Sequence, residues 1–240
     1  MSGTALVYAA VAASGNVIGA AAVVYHAARS LKVIDHFVAF GAGFMLAVCL
    51  TEIVPEALSR SGPSGPLLVL LGYLAVHLTQ HTVTPHFHFG EETHPVNAGA
   101  GTSALIGLLL HTCFDGVAIA SAFLVGPGLG IMVFVAILLH KLPEGVTIAS
   151  LMLAGGRSGA AAVRAAALLG LATVVGVLLT DSIGVLVRYG LALSGGVTLY
   201  VAASNLVPEF QGKRGWKLPA AFFAGAATFY FTRVLVEGIA

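Results

Sequence analysis

Apolar residues fall in eight runs along this chain, at about 4–27, 35–58, 65–84, 101–124, 129–153, 160–185, 190–210 and 217–238. Each is roughly 20 residues or more, the length an α-helix needs to cross a bilayer, where a barrel strand would take about ten alternating ones. Turn chemistry separates them, at Ser61-Gly-Pro-Ser-Gly-Pro66, Gly126-Pro-Gly128, Gly155-Gly-Arg157 and Gln211-Gly-Lys213-Arg214, and a further break is expected around Arg188 to Gly190. The pattern predicts an all-α integral membrane protein with eight transmembrane helices forming a single domain over 1–240. Met1 to Gly3 lead into the first run without a charged segment, so that run is read as a retained helix and not a cleaved signal. An even number of crossings puts both termini on one side.

Two internal repeats order these runs. The fourth carries His111-Thr-Cys-Phe-Asp115-Gly116-Val-Ala-Ile-Ala120 and the fifth His140-Lys-Leu-Pro-Glu144-Gly145-Val-Thr-Ile-Ala149. In the second and seventh, Gly43-Phe-Met-Leu-Ala-Val-Cys-Leu-Thr-Glu52-Ile-Val-Pro55-Glu56 matches Gly196-Val-Thr-Leu-Tyr-Val-Ala-Ala-Ser-Asn205-Leu-Val-Pro208-Glu209 at Gly, Leu, Val, Val, Pro and Glu. The correspondence mirrors about the middle of the chain, four with five and two with seven. Three-helix units of opposite sense would flank a central pair, a 3+2+3 inverted-repeat arrangement that places a binding site at the repeat interface near the midplane.

Composition confirms the solvent. Only 9% of the 240 residues are charged and 58% are hydrophobic, against about 25% charged in soluble domains. A net charge of +1 gives no reason to expect nucleic acid as a partner. Cys49 and Cys113 both lie in apolar runs and suggest no disulfide framework. Lys and Arg set the orientation. With the N-terminus outside, Arg29, Lys32, Arg157, Arg164, Lys213, Arg214 and Lys217 fall inside, and only Arg60, Arg188 and Arg233 outside. That excess predicts both termini outside. The loop after the third run, about 85–100 and then cytoplasmic, holds His86, His88 and His94, and is read as either a polar connector or a metal-collecting tract.

The chemistry lies in the apolar runs themselves. An ionisable group at bilayer depth costs at least about 2.5–3.5 kcal/mol on insertion scales, and Glu52, Asp115, Glu144 and Asp181 sit in or near such depth with His111 and His140. His and carboxylate at i, i+4 share a helix face, so each motif presents one imidazole beside one acid. A shared divalent cation would compensate both acids while the imidazoles supply neutral donors. This N/O set suits zinc, and also cadmium, iron(II) or manganese. Pro143 is expected to kink the fifth helix and to free the carbonyl of Leu139 toward the metal path. Gly116 and Gly145 are expected to let the fourth and fifth helices approach closely. Glu52 and Asn205, each three residues before a proline, are read as pathway or gate residues. Met45 offers a thioether as lining or soft ligand, and His77 is read as a packed group.

These residues resemble the ZIP family of metal transporters, in the His-x3-acid-Gly motif of the fourth helix, the His-x2-Pro-Glu-Gly motif of the fifth, the paired Gly…Pro-Glu segments and the His-containing loop. The resemblance implies uptake of zinc or a related divalent metal toward the cytoplasm across the plasma membrane, the metal being cargo and not a cofactor. It implies alternating access, with a transport bundle containing the fourth and fifth helices moving against a more static dimerising unit. By position, His111, Asp115, His140 and Glu144 would be primary ligands and Met45 a further one. Some members hold a second metal on an Asn or Asp after each motif His. Here Thr112 and Lys141 stand there, and the ammonium of Lys141, free to pair with Asp115, Glu144 or Asp181, favours a single ion. Two other readings compete: an intramembrane zinc-dependent hydrolase, and a proton-coupled carrier of an organic solute. The chain has no HExxH to support the first and no sign of a large-substrate pocket to support the second. The oligomeric state stays open, with small-residue faces at Ala9–Ala13 and Ala161–Ala167 suited to close packing, as a homodimer would use.

Overall fold

A computed structural model describes residues 2–26, 31–82 and 100–237, and shows helices and no strand among them. The helices are α1 (Ser2–His26), α2 (Leu31–Val48), α3 (Val54–Ser61), α4 (Gly65–Thr82), α5 (Ala100–Val125), α6 (Pro127–Ala154), α7 (Gly159–Ser182), α8 (Gly184–Tyr200), α9 (Pro208–Gln211) and α10 (Lys217–Glu237). Seven stretches of described helix are long and apolar enough to cross a membrane, and the protein is an integral membrane protein. His86, His88 and His94 lie outside the described residues.

One of the seven stretches, Asp35–Thr82, is 48 residues long, which as straight helix would run about 70 Å. It does not run straight. Gly62 adopts φ 56° and ψ −141°, a conformation that a side chain disfavours, and Pro63 follows it. Beyond this turn Gly65 packs on Leu58, so α4 folds back beside α3. The break between the sixth and seventh predicted spans also differs from expectation. A single extended residue, Ile183 (φ −113°, ψ 105°), separates α7 from α8, and Arg188 lies inside α8 instead of at its start. The sequence around Arg188-Tyr-Gly190 is polar enough to look like a loop, yet helix continues through it because its hydrogen bonds are satisfied internally.

Two segments depart from α-geometry in the same way. Cys49–Ile53 and Val201–Leu206 are π-helical, and each leads into a proline, Pro55 and Pro208. Proline lacks an N–H and its ring crowds the carbonyl four residues back. The ladder upstream shifts by one residue to relieve this, so Val54 N–H donates to the Cys49 carbonyl and Val207 N–H to the Ala202 carbonyl at 3.1 Å. The result is a π-bulge in each of the two repeat-bearing helices.

The helices pack as two groups. In the first, α5 and α6 pair with each other and with α7 and α1 respectively, and α1 also packs on α7. In the second, α2 packs on α10, and α4 and α3 pack on α8. Contacts of α5 with α8 and of α2 with α6 join the groups. The close crossings are made by glycine against backbone. A Cβ at Gly116 would collide with the Thr173 carbonyl, at Gly176 with that of Cys113, at Gly145 with that of Asn16 and at Gly19 with that of Leu142. In the second group Gly43 meets the Phe222 carbonyl, Gly225 that of Phe40, Gly72 that of Leu193 and Gly196 that of Val69. Lipid supplies no hydrophobic drive between helices, so such close backbone approach, with its dispersion contacts, is what holds them. The expectation for Gly116 and Gly145 is corrected here: they admit α7 and α1, and do not bring α5 and α6 together. The alanine faces are likewise used within the chain. Ala9, Ala12, Ala162, Ala165 and Ala166 are buried, and Gly170 of α7 packs on Ala13 of α1.

Adding a side chain at such a crossing forces the backbones apart, and overpacking typically destabilises by about 1–3 kcal/mol. Gly43→Val and Gly196→Val are therefore expected to lower the unfolding temperature of the detergent-solubilised protein. Gly184→Ala, where nothing lies within 4 Å of the added carbon, is expected to leave it unchanged. Equal melting curves for all three would contradict the packing described.

Candidate metal centre

The two motifs meet in the middle of the first helix group. His111 and Asp115 are one turn apart on α5, and His140 and Glu144 one turn apart on α6, so each helix presents its pair on one face. The helices are joined through Gly126 alone, with Pro127 starting α6 where its missing N–H is harmless. A hairpin this short fixes the register, and the four side chains converge. One ligand atom from each of His111, Asp115, His140 and Glu144 can be chosen so that all lie within 4.8 Å of one another, and all four residues are buried.

Asp115 is the hub. Its Oδ2 lies 3.4 Å from His111 Nε2, 3.3 Å from His140 Nε2 and 2.7 Å from Lys141 Nζ. The imidazole rings stand 5.5 Å apart between centroids. Lys141, with no exposed surface, bridges the acids, its Nζ also 2.7 Å from Glu144 Oε2. Thr112 donates to the other Glu144 oxygen at 2.7 Å. On the far side of its ring, His140 Nδ1 lies 3.1 Å from the Ala136 carbonyl. A carbonyl only accepts, so Nδ1 carries a proton. Nε2 faces an Asp115 carboxylate oxygen across 3.3 Å, a gap that a proton or a metal cation can fill. A carbonyl holding the outer nitrogen is also the usual orienting contact of a metal-bound histidine.

The spacing suits a small cation. Zinc bonds of about 2.0–2.2 Å in a tetrahedron put ligand atoms roughly 3.4 Å apart, close to the Asp115–histidine distances. Lys141 now occupies part of the space between the acids. Its ammonium offsets one of their two charges, leaving two imidazoles, a cation and a pair of anions in a buried pocket. Pairing of this kind is what makes ionised groups tolerable at this depth.

The remaining predicted residues lie elsewhere. Met45 is buried in the apolar core that α2 shares with α5, α6 and α8. Glu52, in the first π segment, pairs with Arg233 of α10 at 3.0 Å. Asn205 occupies the second π segment, where its Nδ2 has no hydrogen-bond partner. Asp181 is exposed near the end of α7, and the buried ammonium pairs with Asp115 and Glu144 instead. The carbonyl of Leu139, freed by Pro143, faces Gly41 of α2, 3.5 Å from where a Cβ would stand. His77 is exposed, and its ring lies 4.1 Å from that of His81 and 5.8 Å from that of Tyr200. Sequence reasoning missed two features of the surroundings. Thr112 was read as the absence of a ligand and proves to be a hydrogen-bond donor to one. Asn16, fully buried on α1 beside Gly145, was passed over although it is the one amide side chain in the first apolar run.

No curated protein matches the chain. A family model described as ZIP zinc transporter matches residues 95–232, which include α5 to α9, both His–acid motifs and most of α10. The match takes in more than half of the 240 residues, and with the buried His/carboxylate cluster beneath it, the chain belongs to the ZIP zinc transporter family.

Proposed function

We propose that this protein moves zinc, or a closely related divalent metal, toward the cytoplasm through the site formed by His111, Asp115, His140 and Glu144 on α5 and α6. Family membership gives divalent metal transport. The observation that carries the site is the convergence of four ligand-type atoms within 4.8 Å in a fully buried position. A neutral imidazole and a carboxylate from each helix hold a cation firmly enough to strip its water, without the thiolate cage that would retain it. The same donors accept cadmium, iron(II) and manganese.

The path is eight crossings in a 3+2+3 inverted repeat. The reversal at Gly62 supports counting Asp35–Thr82 as two of them. So do two ion pairs that flank the α2–α10 packing: Asp35 of α2 with Lys213 just before α10, at 2.6 Å, and Glu52 just beyond α2 with Arg233 of α10. These pairs make α2 and α10 parallel, which needs an even number of reversals between them. The repeat is supported by the glycine crossings. Gly43, Phe40, Val69 and Gly72 become Gly196, Leu193, Phe222 and Gly225 at one constant offset of 153 positions, and the four contacts map onto one another. Gly116 and Cys113 become Gly145 and Leu142, while their partners Thr173 and Gly176 become Asn16 and Gly19. Because α5 and α6 form a tight hairpin they run in opposite senses, and the units they relate are inverted.

Alternating access follows from this division. The group α1, α5, α6 and α7 carries the site, and the group α2, α3, α4, α8 and α10 stands beside it as the more static unit and the homodimer surface. Glu52 and Asn205 sit in equivalent π segments toward opposite faces, as mouth residues, with Asp181 at a helix end and Met45 lining the path. His86, His88 and His94 gather metal on the cytoplasmic side. The termini lie outside, in the plasma membrane. Lys141 restricts the centre to one ion, since its ammonium already bridges the two carboxylates that a second metal would share.

Three outcomes are expected. Proteoliposomes holding the wild-type protein take up radioactive zinc down its gradient, and His140→Ala or Glu144→Ala reduces the rate at least tenfold; folded wild-type protein that moves no metal would exclude transport. Lys141→Asn raises the metal bound per purified chain from one toward two, read by elemental analysis after dialysis, and a ratio that stays at one would assign the lysine another role. A cysteine at Lys213 reacts with an impermeant maleimide only from the cytoplasmic side and one at Gly126 only from outside, whereas labelling of both from one side would break the eight-crossing topology.

A further inference from the structure

Asn16 is buried with no exposed surface, and neither its Oδ1 nor its Nδ2 has a hydrogen-bond partner. Leaving both ends of an amide unpaired in a water-excluded interior incurs the desolvation cost of each group, and the bilayer offers no water to repair it. Among the described residues of α1 no other amide occurs, and the residues sharing its buried stripe, Ala5, Ala9, Ala12 and Ala20, are all apolar. A leucine or alanine there would extend the stripe without penalty. The position of the amide is specific. Its backbone packs on Gly145, the residue following Glu144, and the neighbouring Gly15 packs against Lys141, its added carbon 3.1 Å from the lysine Cβ. The helix that carries Asn16 is therefore seated on the stretch of α6 that holds both the acid and the ammonium of the centre.

The other half of the molecule has the same construction. Thr173 of α7 packs on Gly116, the residue following Asp115, as Asn16 packs on Gly145. Both flanking positions are polar and fully buried. They differ in one respect: the Thr173 hydroxyl reaches the Leu169 carbonyl at 3.5 Å, whereas Asn16 reaches nothing. The Thr173 hydroxyl back-bonds to its own helix, whereas the Asn16 amide makes no such bond and is left needing a partner from outside.

We propose that Asn16 is a fifth member of the metal centre, its side-chain oxygen entering the coordination shell of the divalent cation bound by His111, Asp115, His140 and Glu144. This rests on the proposed transport site. An amide oxygen is a neutral hard donor of the kind that joins imidazole and carboxylate around divalent metals. It adds a ligand without adding charge, so the cation is held by a fifth atom and is no harder to release electrostatically. It also brings α1 into direct contact with the cargo, so that three helices, not two, close on the ion.

The test uses the full-length protein in detergent and in proteoliposomes, with zinc as the probe. Asn16→Leu removes both polar atoms at similar volume. It is expected to leave the unfolding temperature of metal-free protein equal or higher, to diminish the rise that zinc produces, and to raise the half-saturating zinc concentration for uptake about 10–100-fold, the range seen when a metal's supporting residues are removed. Asn16→Asp, which keeps an oxygen at the same place, is expected to retain the zinc-induced rise, and Asn16→Ala, which cannot clash, to behave as the leucine variant does. Asn16→Leu or Asn16→Ala with wild-type zinc stabilisation and wild-type half-saturation would overturn the assignment. His140→Ala, run in parallel, separates the two readings. Loss of the zinc effect in His140→Ala but not in the Asn16 variants removes Asn16 alone from the centre, and no zinc effect in the wild type removes the centre and Asn16 together.

Discussion

One ammonium group between two carboxylates sets the terms for the interior of this protein. Lys141 lies 2.7 Å from both Asp115 and Glu144 with no exposed surface, in a region where water cannot share the load. Any one of these charges alone would be intolerable there. Together they form a cluster that is stable only while its members remain mutually in reach, and that demand fixes the α5–α6 hairpin in register. The imidazoles extend the cluster, and the carbonyl of Ala136 orients the His140 ring through its Nδ1. The cluster thus carries a tethered cation of its own, in contact with both acids.

Around this cluster the scaffold is written mainly in backbone. Eight glycines let helices cross with carbonyls against bare Cα atoms, which is how helices associate where lipid and leucine are equally apolar. The two π segments, Cys49–Ile53 and Val201–Leu206, break the ladder at matching points and bring Glu52 and Asn205 to matching positions. Their partners do not match. Glu52 is tied to Arg233, while the residue equivalent to Arg233 by the repeat offset is the neutral Gln80. The two ends of the molecule are alike in shape and unlike in charge.

Much of this was legible in the amino-acid order. The apolar runs marked most of the long helices to within a few residues, because length and hydropathy go far where lipid is the solvent. The convergence of the four His and carboxylate side chains followed from i, i+4 spacing in two copies, and Lys141 stood out as a charge inside an apolar run, next to His140 and within a turn of Glu144. Other features were out of reach. Nothing in Gly116 or Gly145 says which helix they admit, since glycine marks a close approach but not its partner. The shift of the break between the sixth and seventh spans from Arg188 to Ile183 escaped because a charged residue reads like a loop while its backbone remains helical. The π segments were hidden for a related reason: a proline predicts relief upstream, but whether as kink or bulge depends on what the helix packs against. Pro143 shows the contrast, being accommodated inside a continuous α6.

The reciprocal glycine crossings carry a consequence for how such a molecule ages. At every one of them the recognising element is a hydrogen on one helix and a peptide oxygen on the other, and peptide oxygens are the same whatever side chain accompanies them. A residue opposite a glycine can therefore drift from Phe222 to Val69, or from Phe40 to Leu193, without disturbing the joint. A correspondence held in this way leaves little trace in the letters, where only a few residues agree between the matched segments, while the crossings themselves coincide. The joints can agree where the side chains around them do not.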